Sequence, residues 1–322
     1  MATPLDVTIV SLGEADRSSL RALMSEQRDE WLEALDWDLA EINAALVEAL
    51  RNGSISGSAA LAGDRVVAFG FYTVESDRCL LGDAFVTVEY RHRGVYELLV
   101  DDLIRRASEV APLRRIENHT ITLDADVSDS VLKARGFEAH ERDYLVRAVE
   151  VDGEVPAGHS RARMRAWDDA DFARVSELIY QSYRGTVDAK LNCQYRSRDG
   201  CSDLLDALTN TVWCGRFDPE TTRVALDGET NRLCGVAIAT RISTGTAHLG
   251  QVSVHPVYQG QGIGRALVRS TIDAAARRGL SSCSLAVTRE NRVAGGLYRS
   301  LGFEPRREFR VYTRDRNQRA GT

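Results

Sequence analysis

The stretch HLGQVSVHPVYQGQGIGRALV, residues 248–268, runs from an apolar strand through a glycine-rich turn into a helix. The strand ends at Val254, and Pro256 cannot donate to a ladder, so pairing stops there. Gly260, Gly262 and Gly264 follow within five residues, and the helix begins inside them. Without Cβ atoms, consecutive backbone N–H groups can converge on a phosphate. The helix N-terminus adds its partial positive charge at the same point, and Arg265 supplies a cation in the first turn. The segment lacks the Lys-Ser/Thr ending of a nucleoside triphosphate loop. It also lacks the spacing and the later acidic residue of a dinucleotide fingerprint.

Working outward, the second half reads as strands and helices in alternation. A strand is expected at 163–167, a helix at 169–182, and a polar irregular segment at 183–200. A helix at 201–210 is followed by strands at 222–226, 232–242 and 247–254. A helix at 263–278 ends at Gly279, and a strand covers 282–287. A helix at 291–301 ends at Gly302, and a last strand covers 309–313. A strand meander followed by a strand–helix–strand crossover makes an α/β fold with a mixed, mostly antiparallel sheet flanked by helices.

The first half repeats this order. VTIVSLGEADRSSLRALM parallels RARMRAWDDADFARVSELIY, down to Ala15-Asp16 against Ala170-Asp171. FVTVEYRHRGVYELLV parallels VSVHPVYQGQGIGRALV, and VLKARGF parallels LYRSLGF. An offset of 155 to 168 residues is too long for a solenoid repeat and indicates a duplicated domain. The boundary is expected within EVDGEVPAGHSRAR, residues 150–163, giving domains at 1–152 and 160–316.

Composition limits the function classes. With 43% hydrophobic and 27% charged residues, the chain reads as soluble and globular. No apolar run reaches the ~20 residues of a membrane span, and the start lacks a secretory pattern. Six cysteines without metal-like pairs read as reduced thilos of a cytoplasmic protein, with no metal expected. Residues 1–155 hold 16 basic and 30 acidic residues, a net charge of −14. The remainder holds 25 basic and 17 acidic, a net of +8. The basic half suits a polyanionic ligand, and the acidic half repels nucleic acid and attracts cations. Plain surface charge explains the asymmetry equally well.

The segment 248–268 resembles the acetyl-CoA signature of the GNAT superfamily of N-acetyltransferases, Gln/Arg-x-x-Gly-x-Gly/Ala, at Gln259, Gly262 and Gly264. ENRVAGGLYRSLGF, residues 290–303, resembles that family's Asn-x6-Tyr helix followed by Leu-Gly-Phe. The resemblance implies two tandem GNAT-like domains and acetyl-CoA as acyl-donor co-substrate. It implies that Gln259, Gly260, Gln261, Gly262, Ile263, Gly264 and Arg265 hold the pyrophosphate. Val252, Ser253 and Val254 pair with the pantetheine amides, one of their N–H groups polarises the thioester carbonyl, and Asn291 contacts the cofactor. Tyr298 protonates the departing thiolate. By helix spacing alone Tyr298 is a tyrosine on a buried face. His248 stands where many relatives carry a Glu that acts as general base; it is either the general base or a strand-edge histidine without a role. The acceptor site falls on residues 183–200, where Tyr183, Asp188 and Arg196 are candidates to bind substrate and Asp188 suits an ammonium group; an ordinary surface loop is the alternative.

The first half departs from the pattern. Its loop reads Arg91-His-Arg-Gly94-Val-Tyr96, so Tyr96 replaces the second signature glycine. Ala125 and Leu132 fall at the Asn and Tyr positions, while Gly136-Phe137 is retained. The expectation is a scaffold copy, non-catalytic, beside one active domain that moves acetyl from acetyl-CoA to a primary amine on a small molecule or peptide. The alternative is a non-catalytic acyl-CoA-binding or protein-interaction module. Neither nucleic acid nor membrane is an expected partner.

Overall fold

The computed structural model describes residues 6–75, 77–149 and 162–316. Most of the expected boundary segment, 150–161, lies outside them. The chain forms two compact units. Unit 1 contains residues 1–34, 39–141 and 309–322; unit 2 contains 35–38 and 142–308.

Unit 1 contains β1 (Thr8–Ser11), α1 (Arg17–Leu35, whose last residue is assigned to unit 2), α2 (Ala40–Arg51), β2 (Ser56–Ala62), β3 (Arg65–Glu75), β4 (Arg78–Val86), α3 (Val95–Val110), β5 (Arg115–Asn118) and α4 (Ala125–Ala134). β1 to β4 are an antiparallel meander, and β5 joins β4 in parallel from Arg78↔Arg115 to Leu81↔Asn118. The chain passes into unit 2 within β6 (Glu138–Ala148).

Unit 2 contains β7 (Ala162–Ala166), α5 (Phe172–Tyr183), α6 (Asp188–Leu191), α7 (Arg198–Asn210), the short β8 (Arg216–Phe217), β9 (Arg223–Asp227), β10 (Leu233–Arg241), β11 (Thr246–Val254), α8 (Ile263–Arg277), β12 (Ser282–Thr288) and α9 (Arg292–Ser300). β7, β9, β10 and β11 pair antiparallel in that order, and β12 joins β11 in parallel. The strand alternation sorts side chains to two faces. Ala225 and Ala237 pack with Leu267, Val268 and Ile272 of α8. Val224, Leu226, Val236 and Ile238 pack with Val175 and Ile179 of α5 and Leu205 of α7. The elements expected from sequence in this half are present with shifts of a few residues; α6 and β8 were not anticipated.

The last strand of each sheet comes from the other half of the sequence. In unit 2, β12 pairs antiparallel with Arg142–Ala148 of β6. In unit 1, β5 pairs antiparallel with Tyr312–Asp315 at the end of β13 (Glu304–Asp315). Tyr312 is fully buried and packs in the unit 1 core with Leu99, Leu103, Ile116 and Leu132. Residues 309–313 therefore form the expected strand, but within unit 1.

Both units are mixed, mostly antiparallel sheets with flanking helices, as the sequence implied. Among the described residues no helix is long and apolar enough to cross a membrane. All six cysteines are free thiols.

Candidate functional site

In unit 2 the site begins where β11 loses a partner. Its parallel pairing with β12 runs from Thr246↔Ser282 to Leu249↔Leu285 and stops there. A bulge at Gly250 shifts the register against β10, whose pairing continues to Gly235↔Val254. On the β12 side, Val252 and its neighbours carry main-chain groups outside any ladder pairing, and such groups need a partner. The Tyr183 hydroxyl lies 3.5 Å from the Val252 carbonyl oxygen.

At the far end of β11 the glycine turn is held open. Gly260 and Gly262 have φ of +75° and +78°, a region costly to residues with a Cβ, and a Cβ on either would meet nothing within 4 Å. The Gln259 amide donates to the Val254 carbonyl at 3.0 Å, and the Gln261 amide donates to the Val257 carbonyl at 3.0 Å. Both glutamines therefore brace the turn with their side chains. Buried Ile263 anchors the helix start in the core of unit 2. The first bond beyond the turn is from the Ala266 N–H to the Gly262 carbonyl, so the N–H groups of Ile263, Gly264 and Arg265 precede the helical ladder. Arg265 donates to Ser300 Oγ at 2.8 Å. An open turn, free helix N–H groups and a strand edge with unpaired main chain fit a ligand with a diphosphate at one end and amides along its arm.

Polar side chains gather beside the strand edge. Tyr183 and Tyr195 stack with centroids 3.9 Å apart and planes 6° apart. The Tyr195 hydroxyl donates to Gln251 Oε1 at 2.9 Å, and the Gln251 amide donates to Ser253 Oγ at 2.9 Å. The Asp188 carboxylate accepts from Thr288 Oγ1 at 2.7 Å and from Asn291 Nδ2 at 2.9 Å. Asn291 also caps α9, accepting from the Ala294 N–H at 3.1 Å. Tyr298 lies on the buried face of α9. Burial raises the Tyr298 phenol well above its ordinary pKa; Tyr183 and Asp188 raise it further, and Arg142 opposes them. Burial and Asp188 likewise raise Tyr195. These groups thus form one electrostatic neighbourhood, in which Tyr298 keeps its proton at neutral pH.

His248 sits deeper, on the paired part of β11, and only 7% of its surface is exposed. Nδ1 lies 3.0 Å from Ser284 Oγ, and the ring packs 4.9 Å from Trp37 and 6.2 Å from Tyr144. Burial, with Arg142 as a second cause, lowers its pKa to about 3. The ring is held neutral but is a weak proton acceptor, and its contacts are those of a core residue. Arg196 donates to the carbonyls of Ala189 and Lys190, 2.8 Å each, closing the turn after α6. The structure thus brings Tyr183, Asp188, Asn291 and Tyr298 together and leaves Arg196 to the backbone of its own segment.

Gln251, Thr288 and Arg142 were missed from sequence. Gln251 and Ser253 share one face of a strand and are 3% and 2% exposed, so two polar residues on an inward face were the available signal. Arg142 had none, since it lies in the other sequence half.

In unit 1 the turn keeps its backbone shape. His92 and Gly94 have φ of +57° and +81°. Its chemistry differs: Arg91 is taken by the Glu30 carboxylate at 2.7 Å and the Val86 carbonyl at 2.9 Å. Leu132, 1% exposed, stands where unit 2 has Tyr298.

Comparison with known proteins agrees with both halves. Residues 190–303 match the sequence profile described as Acetyltransferase (GNAT) family, and residues 2–119 match that described as Acetyltransferase (GNAT) domain. The chain is 42% identical over 64 residues to the [Ribosomal protein bS18]-alanine N-acetyltransferase of Escherichia coli K12, covering 20% of this chain and 43% of that one. It is 39% identical over 97 residues to the mycothiol acetyltransferase of Thermobifida fusca, covering 27% of this chain and 30% of that one. These matches span less than half the length of either relative. A solved tandem GNAT protein from the clavulanic acid biosynthesis pathway superposes with a TM-score of 0.62 at 17% identity, covering 96% of this chain and 98% of that one. With one such domain profile in each half and a tandem fold along nearly its whole length, the chain belongs to the GNAT acetyltransferase family.

Proposed function

We propose that this chain transfers an acetyl group from acetyl-CoA to a primary amine, and that unit 2 alone carries the reaction. The observation that bears most weight is the run from the open Gly260–Gly262 turn along the unpaired edge of β11 to the cluster of Asp188 and Tyr298. In this reading the turn and the N–H groups of residues 263–265 hold the diphosphate. Val252, Ser253 and Val254 offer main-chain groups to the pantetheine arm and an N–H to the thioester oxygen. Asp188 holds the ammonium group of the acceptor and draws its proton away, leaving the free amine to attack. Tyr298, which holds its proton at neutral pH, gives it to the departing thiolate and takes up the proton that the newly acylated nitrogen sheds. His248 holds the packing of the paired strand.

The named relatives act on a ribosomal protein alanine and in mycothiol acetylation, both consistent with an amine acceptor. Unit 1 lacks the tyrosine and the second signature glycine, which supports a non-catalytic role. Six unpaired thiols suit the cytoplasm. The test is thiol release from acetyl-CoA across a panel of primary amines, alongside calorimetric titration with acetyl-CoA. Release that depends on amine and on Tyr298 supports the proposal. Absence of acetyl-CoA binding sinks it, and binding without release under any amine favours a non-catalytic acyl-CoA module.

A further inference from the structure

Unit 1 has a pocket at the place where unit 2 has its strand edge. Its wall includes Trp31 of α1, Asp83 and Phe85 of β4, Tyr96 at the start of α3, and Asp124 before α4. Asp83 occupies the position that Gln251 has in unit 2: in each unit it follows a glycine at the bulge of the third and fourth sheet strands. The substitution changes a neutral amide into a carboxylate, and its surroundings do not neutralise it. Its protein partners are the side-chain amide of Gln27, itself 2% exposed, and the N–H of Ala84 at 2.9 Å.

The other charged groups at the pocket are accounted for. Arg91 is held by Glu30 and the Val86 carbonyl, and its guanidinium lies 5.2 Å from the Phe85 ring centroid and takes that face. His92 lies 3.7 Å from Asp124 and is exposed. The phenol of Tyr96 stays protonated through burial and the nearby Asp83. Two carboxylates and a bulky phenol oppose a diphosphate here. Aromatic faces beside carboxylates are the surroundings that an organic cation favours.

We propose that the unit 1 pocket binds a small primary ammonium ion, with its charge on Asp83 and Asp124 and its organic part against Trp31 and Tyr96. The site is separate from the acetyl-transfer reading and stands or falls without it. Burial raises the Asp83 carboxyl to about 7. A cation favours the ionised form, so the carboxyl proton passes to solvent as the ligand enters, and binding strengthens as pH rises through neutrality.

The test is isothermal titration of the full chain with putrescine and with phenethylamine, at pH about 6 and about 8. Binding is expected to be about tenfold tighter at the higher pH and to release protons in buffers of different ionisation heat. Asp83→Asn removes the pH dependence and weakens binding by about tenfold or more. Asp124→Asn weakens it while keeping the dependence, and is the second arm if the first variant is misfolded by its melting curve. Asp188→Asn removes any binding at the acceptor site and leaves the Asp83-dependent binding intact. The proposal is overturned if neither amine binds, if binding is indifferent to Asp83 and Asp124, or if two equivalents of acetyl-CoA bind per chain and one competes with the amine.

Discussion

Single side chains divide here by what surrounds them. Tyr298 was legible because a sequence motif places it, and burial explains why its proton is retained. Tyr298→Phe is expected to lower kcat by about a hundredfold with little change in the KM for acetyl-CoA, measured by steady-state thiol release. His248 was legible only as a histidine in the right strand; its burial beneath Trp37 depends on a residue more than two hundred positions away. That burial has a sign. The folded ring has a lowered pKa, so below about 6.5 the unfolded chain takes up a proton that the folded one refuses until pH about 3. Stability should therefore fall as pH drops from neutrality, by about 2 kcal/mol at pH about 5 from this group alone. Denaturant midpoints measured against pH should flatten in His248→Gln. Arg142 was invisible in the sequence because nothing near it marks it as facing Tyr195 and Tyr298.

Among the elements, those with backbone punctuation were the easiest to read. α4 and α9 both end in the same arrangement. The N–H groups of Gly136 and Phe137 bond back to Lys133 and Leu132, and those of Gly302 and Phe303 bond to Arg299 and Tyr298. A left-handed glycine and a buried phenylalanine make that stop, which is why Gly-Phe survives in both halves although Tyr298 is matched by Leu132. α6 was missed because four residues carry no period to detect. The α8 entrance allows a sharper test. Gly262→Ala forces a Cβ into φ +78° and should cost roughly 1–2 kcal/mol of stability. At Gly264 a Cβ would lie 3.4 Å from the flexible Leu297 side chain, so Gly264→Ala should keep the melting temperature. In the proposed site it should nevertheless weaken acetyl-CoA, because the methyl enters at the helix N-terminus; paired melting curves and titrations of the two variants separate these effects.

For the whole molecule, the duplication was readable from repeated strings, but the ownership of the last strands was not. Sequence periodicity marks a strand at 309–313 without saying which sheet it completes, since pairing partners are set by packing. Tyr312 and Val311 are fully buried, and Tyr312 sits in the unit 1 core. A chain truncated after residue 308 should therefore lose unit 1 cooperativity, seen as faster amide exchange in β5 and α3. Fragments 1–152 and 160–322 should fold poorly when made separately and better when made together; two fragments that each melt cooperatively alone would refute this. The exchange also sets the order of events at the ribosome. Domains usually fold as they emerge, the N-terminal one first. Here unit 1 cannot close its sheet until the final strand has left the exit tunnel, although nearly all its other residues appeared far earlier. Translation of the second half is thus a waiting period for the first, in which β5 has an open edge and a chaperone has reason to bind it.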